Sequence, residues 1–220
     1  SNFINPAYKG AQPERCLRLP PGAAEPLSRD GEFTGAAILA AIEANRGAVR
    51  TVTLAPELPG ALDLVRRLAG PGHRVSLGHS AATFDEGQAA IAAGARQATH
   101  LFNRMPPLGH RAPGLAGAML AADEVTCELV CDGHHVHPAM LAMAIRLKGR
   151  AAVVAITDAA AVAGLPAGAT ARLGGSDIRA GAHFGELADG TIAGSLTTMD
   201  AVFRLLVSTV GLTVADAVHL

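Results

Sequence analysis

The sequence has little of several residue types whose abundance marks particular protein classes. Its 220 residues include no tryptophan, one tyrosine and three cysteines, and only two of its 18 basic residues are lysines. Three scattered cysteines do not build a disulfide framework or a zinc ribbon, and a reduced, cytoplasmic protein is the default expectation. The two lysines, Lys9 and Lys148, argue against Schiff-base catalysis.

Charge and long apolar runs are also scarce. Charged residues make up 17% of the chain and the formal net charge is -1, so the basic face of a nucleic-acid-binding protein is not expected. No run approaches the ~20 apolar residues of a transmembrane helix. Residues 1–10 lack the basic and apolar regions of a signal peptide. We therefore expect neither nucleic acid nor a membrane as a partner.

Short β-rich runs alternate with alanine-rich helical runs along the chain. The predicted strands are Thr51–Ala55, Arg74–Leu77, Gln97–Leu101, Val125–Cys131 and Ala152–Thr157. The predicted helices are Gly35–Asn45, Ala61–Ala69, Thr83–Ala93, Pro138–Leu147 and Thr198–Thr209, with one more capped by Thr213. The strands are apolar on both faces, as in a parallel sheet covered by helices, so the pattern predicts an α/β fold.

Polar side chains follow four of these strands in succession, namely His79, His100, Asp132 and Asp158. In a (β/α)₈ barrel the carboxyl ends of all strands meet at one mouth, whereas an open sheet collects such residues only at its switch point. The pattern favours the barrel, with residues 1–220 as one domain. Gly174–Gly194, rich in glycine and polar residues, predicts a hairpin or an active-site loop.

Two of these residues are candidate metal ligands. Neutral imidazoles from neighbouring strand ends, His79 and His100, suit Zn²⁺ or a similar ion that takes a further protein ligand. Beside a metal-bound water, Asp158 is a candidate general base. The ordinary alternatives are histidines at the surface or hydrogen-bonded in the core, and an aspartate that caps a helix or lies in a solvated loop.

Several segments resemble one family in order along nearly the whole chain. They are residues 5–10, 53–57, 78–83, 99–106, 111–118, 132–136, 157–159 and 193–199. Together they are similar to the N-acetylglucosamine-6-phosphate deacetylases of the amidohydrolase superfamily. The resemblance implies metal-dependent hydrolysis of the acetamide of N-acetylglucosamine 6-phosphate to glucosamine 6-phosphate and acetate. It also implies a (β/α)₈ TIM-type barrel with a small β-sandwich domain.

The resemblance also implies roles for individual residues. His79 and His100 would ligate a divalent metal, most often Zn²⁺ with Fe²⁺, Mn²⁺ or Co²⁺ as alternatives, and Asp158 would be the catalytic acid and base. Arg111 would reach the phosphate bound by a neighbouring subunit, which implies a homodimer. The implied substrate-binding residues are Gln12, Asn103, Arg104, Arg111, His135, Ile192, Ala193 and Gly194.

The sequence also departs from the family pattern. The family's glutamate metal ligand belongs to a segment just before the part matching residues 3–6, and the β-sandwich is built from both ends of the family's chain. We therefore expect an incomplete barrel that lacks this ligand and most of the β-sandwich. Gln12 stands where many members have a histidine near the scissile carbonyl. Two alternative functions stay open. One is an amidohydrolase that acts on another acylated or cyclic amide, and the other is a non-catalytic barrel remnant that binds a sugar phosphate.

Overall fold

The chain folds as two compact units, each with its own parallel strands. The computed structural model describes residues 2–23, 33–70 and 72–220. The first unit comprises residues 1–9 and 13–125, and the second comprises residues 10–12 and 126–220. Both units combine α-helices with β-strands, so the α/β class is confirmed.

The first unit is built from strand–helix repeats. Its strands are β1 (Thr51–Leu54), β2 (Arg74–Leu77) and β3 (Gln97–Ala98), and its helices are α1 (Gly35–Ala44), α2 (Ala61–Ala69), α3 (Phe84–Ala93) and α4 (Gly114–Ala121). The pairs β1–β2 and β2–β3 are both parallel. A helix follows each strand, as the alternation of apolar and alanine-rich runs predicts.

Local sequence explains where α3 begins. The Thr83 side chain accepts a hydrogen bond from the Glu86 amide, and the Glu86 carboxylate accepts one from the Thr83 amide. This reciprocal pair is the capping box that the sequence predicts. It satisfies two backbone donors that would otherwise lack partners at the helix terminus.

Helix α4 is not predicted by amphipathic spacing. All of its residues from Gly114 to Leu120 are buried, so the helix has no polar face to set a period. It packs closely on α3, because a Cβ added at Gly87 would lie 2.7 Å from the Ala118 Cβ. The absence of a side chain at Gly87 therefore permits the approach of the two helices.

The core of the first unit consists of large apolar side chains from the strands, the helices and the amino-terminal segment. Those with less than 2% exposure include Phe3, Ile4, Leu54, Leu68, Leu77, Leu101, Leu115 and Met119. Burying a leucine- or phenylalanine-sized side chain contributes about 1.5–3 kcal/mol each. This core holds the carboxyl ends of β2 and β3 in place.

The second unit contains a parallel pair and an antiparallel sheet. The parallel strands are β4 (Thr126–Val130) and β5 (Val153–Ile156), and the helices are α5 (Pro138–Lys148), α6 (Met199–Ser208) and α7 (Val214–His219). Between β5 and α6, the strands β6 (Thr170–Leu173), β7 (Ser176–Ala180), β8 (Phe184–Glu186) and β9 (Ile192–Ser195) pair in order. An apolar cluster joins Ile178 and Ala180 of β7 to Ala160 and Val162, which follow β5.

The segment Gly174–Gly194 therefore forms hairpins, one of the two outcomes that the sequence leaves open, and the sheet already begins at Thr170. Strand β3 ends at Ala98, three residues before the predicted end. Among the described residues, no helix is both long enough and apolar enough to cross a membrane.

Candidate active site

The residues predicted to act in catalysis stand at strand ends on unusual backbone. His79 and His100 each lie two residues beyond the last residue of β2 and β3, and Asp158 lies two residues beyond β5. Their φ angles are 50°, 31° and 47°. Positive φ is uncommon for residues other than glycine, costs about 1–3 kcal/mol, and concentrates at functional sites. All three positions therefore carry the backbone signature of a functional residue.

Within the first unit, the structure brings the two histidines together. The Nε2 atoms of His79 and His100 lie 2.9 Å apart, and the ring planes make an angle of 73°. His100 is 6% exposed. Two nitrogens bound to one zinc ion at ~2.0–2.1 Å are separated by about 2.9–3.4 Å for bond angles of roughly 90–110°. The pair therefore fits two adjacent ligand positions of a single cation.

The protonation of His79 suits a metal ligand. Its Nδ1 lies 2.8 Å from the Tyr8 carbonyl oxygen. Because a carbonyl oxygen only accepts, Nδ1 carries the proton and the Nε2 lone pair faces His100. Burial, followed by the charge of His100, lowers the pKa of His79 to about 4. The ring is therefore neutral at pH 7, which metal binding requires.

These two imidazoles supply only part of a complete ligand set. Among the described residues there is no group of three or more His, Cys, Asp or Glu side chains that could hold a metal ion. Catalytic zinc sites use three protein ligands and a water. The chemistry and spacing of the pair thus fit two ligand positions of a divalent ion.

Asp158 lies beside the strand that carries three of the predicted substrate-binding residues. The Ser195 amide donates to the Asp158 carbonyl oxygen at 2.8 Å, and the Ser195 hydroxyl donates to the Thr157 carbonyl oxygen at 2.5 Å. Gly194 has φ 123°, and a Cβ there would lie 2.7 Å from the Asp158 carbonyl oxygen. The segment 192–194 therefore runs against the Asp158 backbone, while the Asp158 side chain is exposed.

His135 in the second unit is held by a carboxylate that sequence reasoning did not select. Asp132 Oδ2 lies 2.6 Å from His135 Nδ1, and the two side chains are 2% and 7% exposed. Asp132 Oδ1 accepts the His134 and His135 amides at 2.9 and 2.8 Å. The Phe184 ring meets His135 edge-on at 4.8 Å between centroids. Nδ1 is thus engaged, and Nε2 is the nitrogen left to face a ligand.

The hydrogen bonds at Asp132 also change its ionisation. Burial raises the pKa of this carboxyl group, but the hydrogen bonds from the His135 ring and from the two amides outweigh burial and lower the pKa overall. A carboxylate at a strand end followed three residues later by histidine was the available sequence signal. On its own this spacing predicts only a polar residue at a strand end, because it does not show that the two side chains touch.

The remaining predicted residues are placed as follows. Asn103 Nδ2 donates to the His100 carbonyl oxygen at 3.2 Å, so it braces the turn after β3. Arg104 is exposed and has φ 52°. Arg111 is exposed and lines a pocket of about 480 Å³, which Thr83 and Pro106 also line. Gln12 is half-buried and belongs to the second unit.

Comparison with known proteins identifies the family. No protein-family model matches the chain. An N-acetylglucosamine-6-phosphate deacetylase from Lysinibacillus sphaericus is 42% identical over 156 residues, which is 71% of this chain and 40% of that protein. An N-acetylgalactosamine-6-phosphate deacetylase from Escherichia coli O157:H7 is 37% identical over 218 residues, which is 99% of this chain and 54% of that protein.

A solved structure agrees with these relatives. An aspartate-to-alanine mutant of N-acetyl-D-glucosamine-6-phosphate deacetylase from Mycobacterium smegmatis, in complex with N-acetyl-D-glucosamine-6-phosphate, superposes with a TM-score of 0.87. It is 37% identical, and the match covers 100% of this chain and 54% of that one. The chain belongs to the N-acetylglucosamine-6-phosphate deacetylase family.

Membership in the deacetylase family confirms the resemblance drawn from the sequence. The chain spans about half the length of the deacetylases it matches. The α/β fold, with its parallel strands and antiparallel sheet, agrees with the deacetylase structures.

Proposed function

We propose that the protein hydrolyses the acetamide of N-acetylglucosamine 6-phosphate, releasing acetate and glucosamine 6-phosphate. The observation that carries this proposal is the facing pair of imidazoles, His79 and His100, with Nε2 atoms 2.9 Å apart on strained strand ends. The names of the relatives supply the substrate class. We also propose that residues 1–220 form one domain, part of a (β/α)₈ barrel.

His79 and His100 would hold a divalent metal ion, with zinc as the first candidate and Fe²⁺, Mn²⁺ or Co²⁺ as alternatives. Such an ion, when bound, activates a water molecule at neutral pH and polarises the acetamide carbonyl. The contribution of the chain is to place the two Nε2 atoms within reach of one ion. The hydrogen bond from His79 to Tyr8 keeps the Nε2 lone pair of His79 available for it.

Asp158 is the proposed general base and then general acid. Its exposed carboxylate accepts a proton from the attacking water oxygen. The same proton is returned to the amide nitrogen as the C–N bond breaks, so that the amine leaves neutral. The bond from Ser195 to the Asp158 carbonyl fixes the main chain from which this side chain projects.

The remaining site residues bind the substrate in this proposal. Asn103, Arg104, Gln12, His135 and the segment 192–194 contact the amino-sugar phosphate. A glutamine at position 12 donates a hydrogen bond to the carbonyl but brings no charge.

Arg111 reaches the phosphate bound by a second copy of the chain, and the protein is therefore proposed to be a homodimer. Guanidinium N–H groups bind phosphate in pairs, which suits this task. The exposure of Arg111 leaves it available for such a contact.

The test follows acetate release from N-acetylglucosamine 6-phosphate by the zinc-loaded chain. Asp158→Asn should lower kcat by at least 100-fold, as loss of a general acid–base group does. Arg111→Ala should raise KM for the phosphorylated sugar and leave the unphosphorylated sugar unaffected. Absence of acetate release, or full activity of Asp158→Asn, would contradict the proposal.

Two further arms separate the alternatives. N-acetylgalactosamine 6-phosphate is assayed in parallel, because one of the relatives is named for that substrate. Equal effects of Arg111→Ala on phosphorylated and unphosphorylated sugars would favour an amidohydrolase for another amide. Binding of the sugar phosphate without metal uptake or turnover would favour a non-catalytic binding protein.

A further inference from the structure

Glu57, three residues after β1, accepts hydrogen bonds from the two residues that follow His79 and from Asn5. Glu57 Oε2 accepts from the Ser80 hydroxyl at 2.7 Å, and Oε1 accepts from the Ala81 amide at 2.6 Å. Oε1 also accepts from Asn5 Nδ2 at 2.9 Å. One carboxylate therefore ties the two residues that follow His79 to the amino-terminal segment of the chain.

Asn5 continues this connection to the imidazole ring. The Asn5 amide donates to the His79 carbonyl oxygen at 3.0 Å. Its side chain caps the short 3₁₀ turn Pro6–Tyr8 by accepting from the Ala7 amide at 2.9 Å. The carbonyl oxygen of Tyr8, at the end of that turn, is the acceptor for His79 Nδ1. The hydrogen bonds thus form a closed circuit through Glu57, Asn5, Tyr8 and His79.

We propose that Glu57 is a positioning residue for His79, which fixes the ring with its proton on Nδ1 and its lone pair on Nε2. The inference rests on the proposed function, since the lone pair matters there as a metal ligand. Glu57 acts through Ser80 and Ala81, the two residues that follow His79, and through Asn5.

The backbone at His79 shows why such support is needed. A φ of 50° is unfavourable for histidine and persists only where the surrounding structure over-determines it. The bonds to Ser80 and Ala81 hold the turn that follows this residue. Ser80 is fully buried, so removing the carboxylate leaves its hydroxyl donor without a partner in the interior. The turn and the Asn5 segment would then lose the carboxylate bridge that ties them together.

The experiment measures the ring state of His79 in the metal-free chain. Histidines are labelled with ¹⁵N, and the chemical shifts of Nδ1 and Nε2 distinguish a protonated nitrogen from one with a lone pair. The His79 signals are assigned by their loss in His79→Gln. The unsubstituted chain should show a proton on Nδ1 of His79. Glu57→Ala should replace this single state by a mixture of both tautomers.

Glu86→Ala is the matched control. Glu86 also accepts from a hydroxyl and a backbone amide, but it caps α3 instead of bracing His79. This variant should leave the His79 ring state unchanged. Asn5→Asp is the second test variant, because it retains an oxygen for the Ala7 amide and opposes the Glu57 carboxylate with a second negative charge. It should change the ring state even if Glu57→Ala does not fold.

Zinc affinity provides a separate readout. Loss of a group that orients a metal ligand typically lowers affinity by about 10–100-fold, and we expect this for Glu57→Ala and Asn5→Asp but not for Glu86→Ala. If folded Glu57→Ala and Asn5→Asp both keep Nδ1 of His79 protonated and bind zinc normally, the positioning role is wrong. If the ring state changes as expected but the chain releases no acetate, positioning stands and deacetylation fails.

Discussion

Replacing Gly194 with alanine tests whether the segment 192–194 fixes the Asp158 backbone. The added Cβ would lie 2.7 Å from the Asp158 carbonyl oxygen and 3.1 Å from the Ala160 amide nitrogen. Both are backbone atoms, so no side chain can rotate away. The φ of 123° is also strained for alanine. A strained φ costs about 1–2 kcal/mol and overpacking about 1–3 kcal/mol, so the loss of stability should be about 2–5 kcal/mol.

Gly164→Ala is the matched control for this substitution. Gly164 has φ 78°, but nothing lies within 4 Å of a Cβ built there, so only the backbone cost of about 1 kcal/mol applies. Urea unfolding followed by circular dichroism measures both variants. The difference of about 1–4 kcal/mol corresponds to a midpoint lower by roughly 1 M for Gly194→Ala. Equal midpoints for the two variants would refute the close approach of Gly194 to Asp158.

Two further predictions concern the half-buried histidines His135 and His79. Asp132→Ala removes the acceptor of three hydrogen bonds and should lower the free energy of unfolding, measured in urea, by about 3 kcal/mol. His135→Phe supplies the second arm of a double-mutant cycle, and additive effects of the two substitutions would show that the pair is not coupled. The pKa of His79 is about 4 in the folded chain and about 6.5 in the unfolded chain. The stability that the neutral ring contributes is therefore complete above pH 6.5 and is lost as the pH falls towards 4. The free energy of unfolding should fall by up to about 1.4 kcal/mol per pH unit in this range. His79→Gln should flatten this dependence, and an unchanged pH profile of unfolding would contradict the assignment.

The sequence by itself determined the local structure and the family. The start of α3 follows from Thr83 and Glu86, which satisfy each other's backbone donors, and β2 lies where its apolar run predicts. Such features depend on residues within one turn or one strand. The ordered segments along the chain likewise point to the deacetylase family, which the comparisons confirm.

Only the tertiary structure decided which groups touch. The facing of His79 and His100 depends on parallel pairing of β2 with β3, and the ring state of His79 depends on a carbonyl 71 residues away in sequence. Amphipathic spacing does not predict helix α4, because the burial of residues 114–120 leaves no polar face to set a period. These contacts join positions far apart in the chain, and packing of the whole unit selects them.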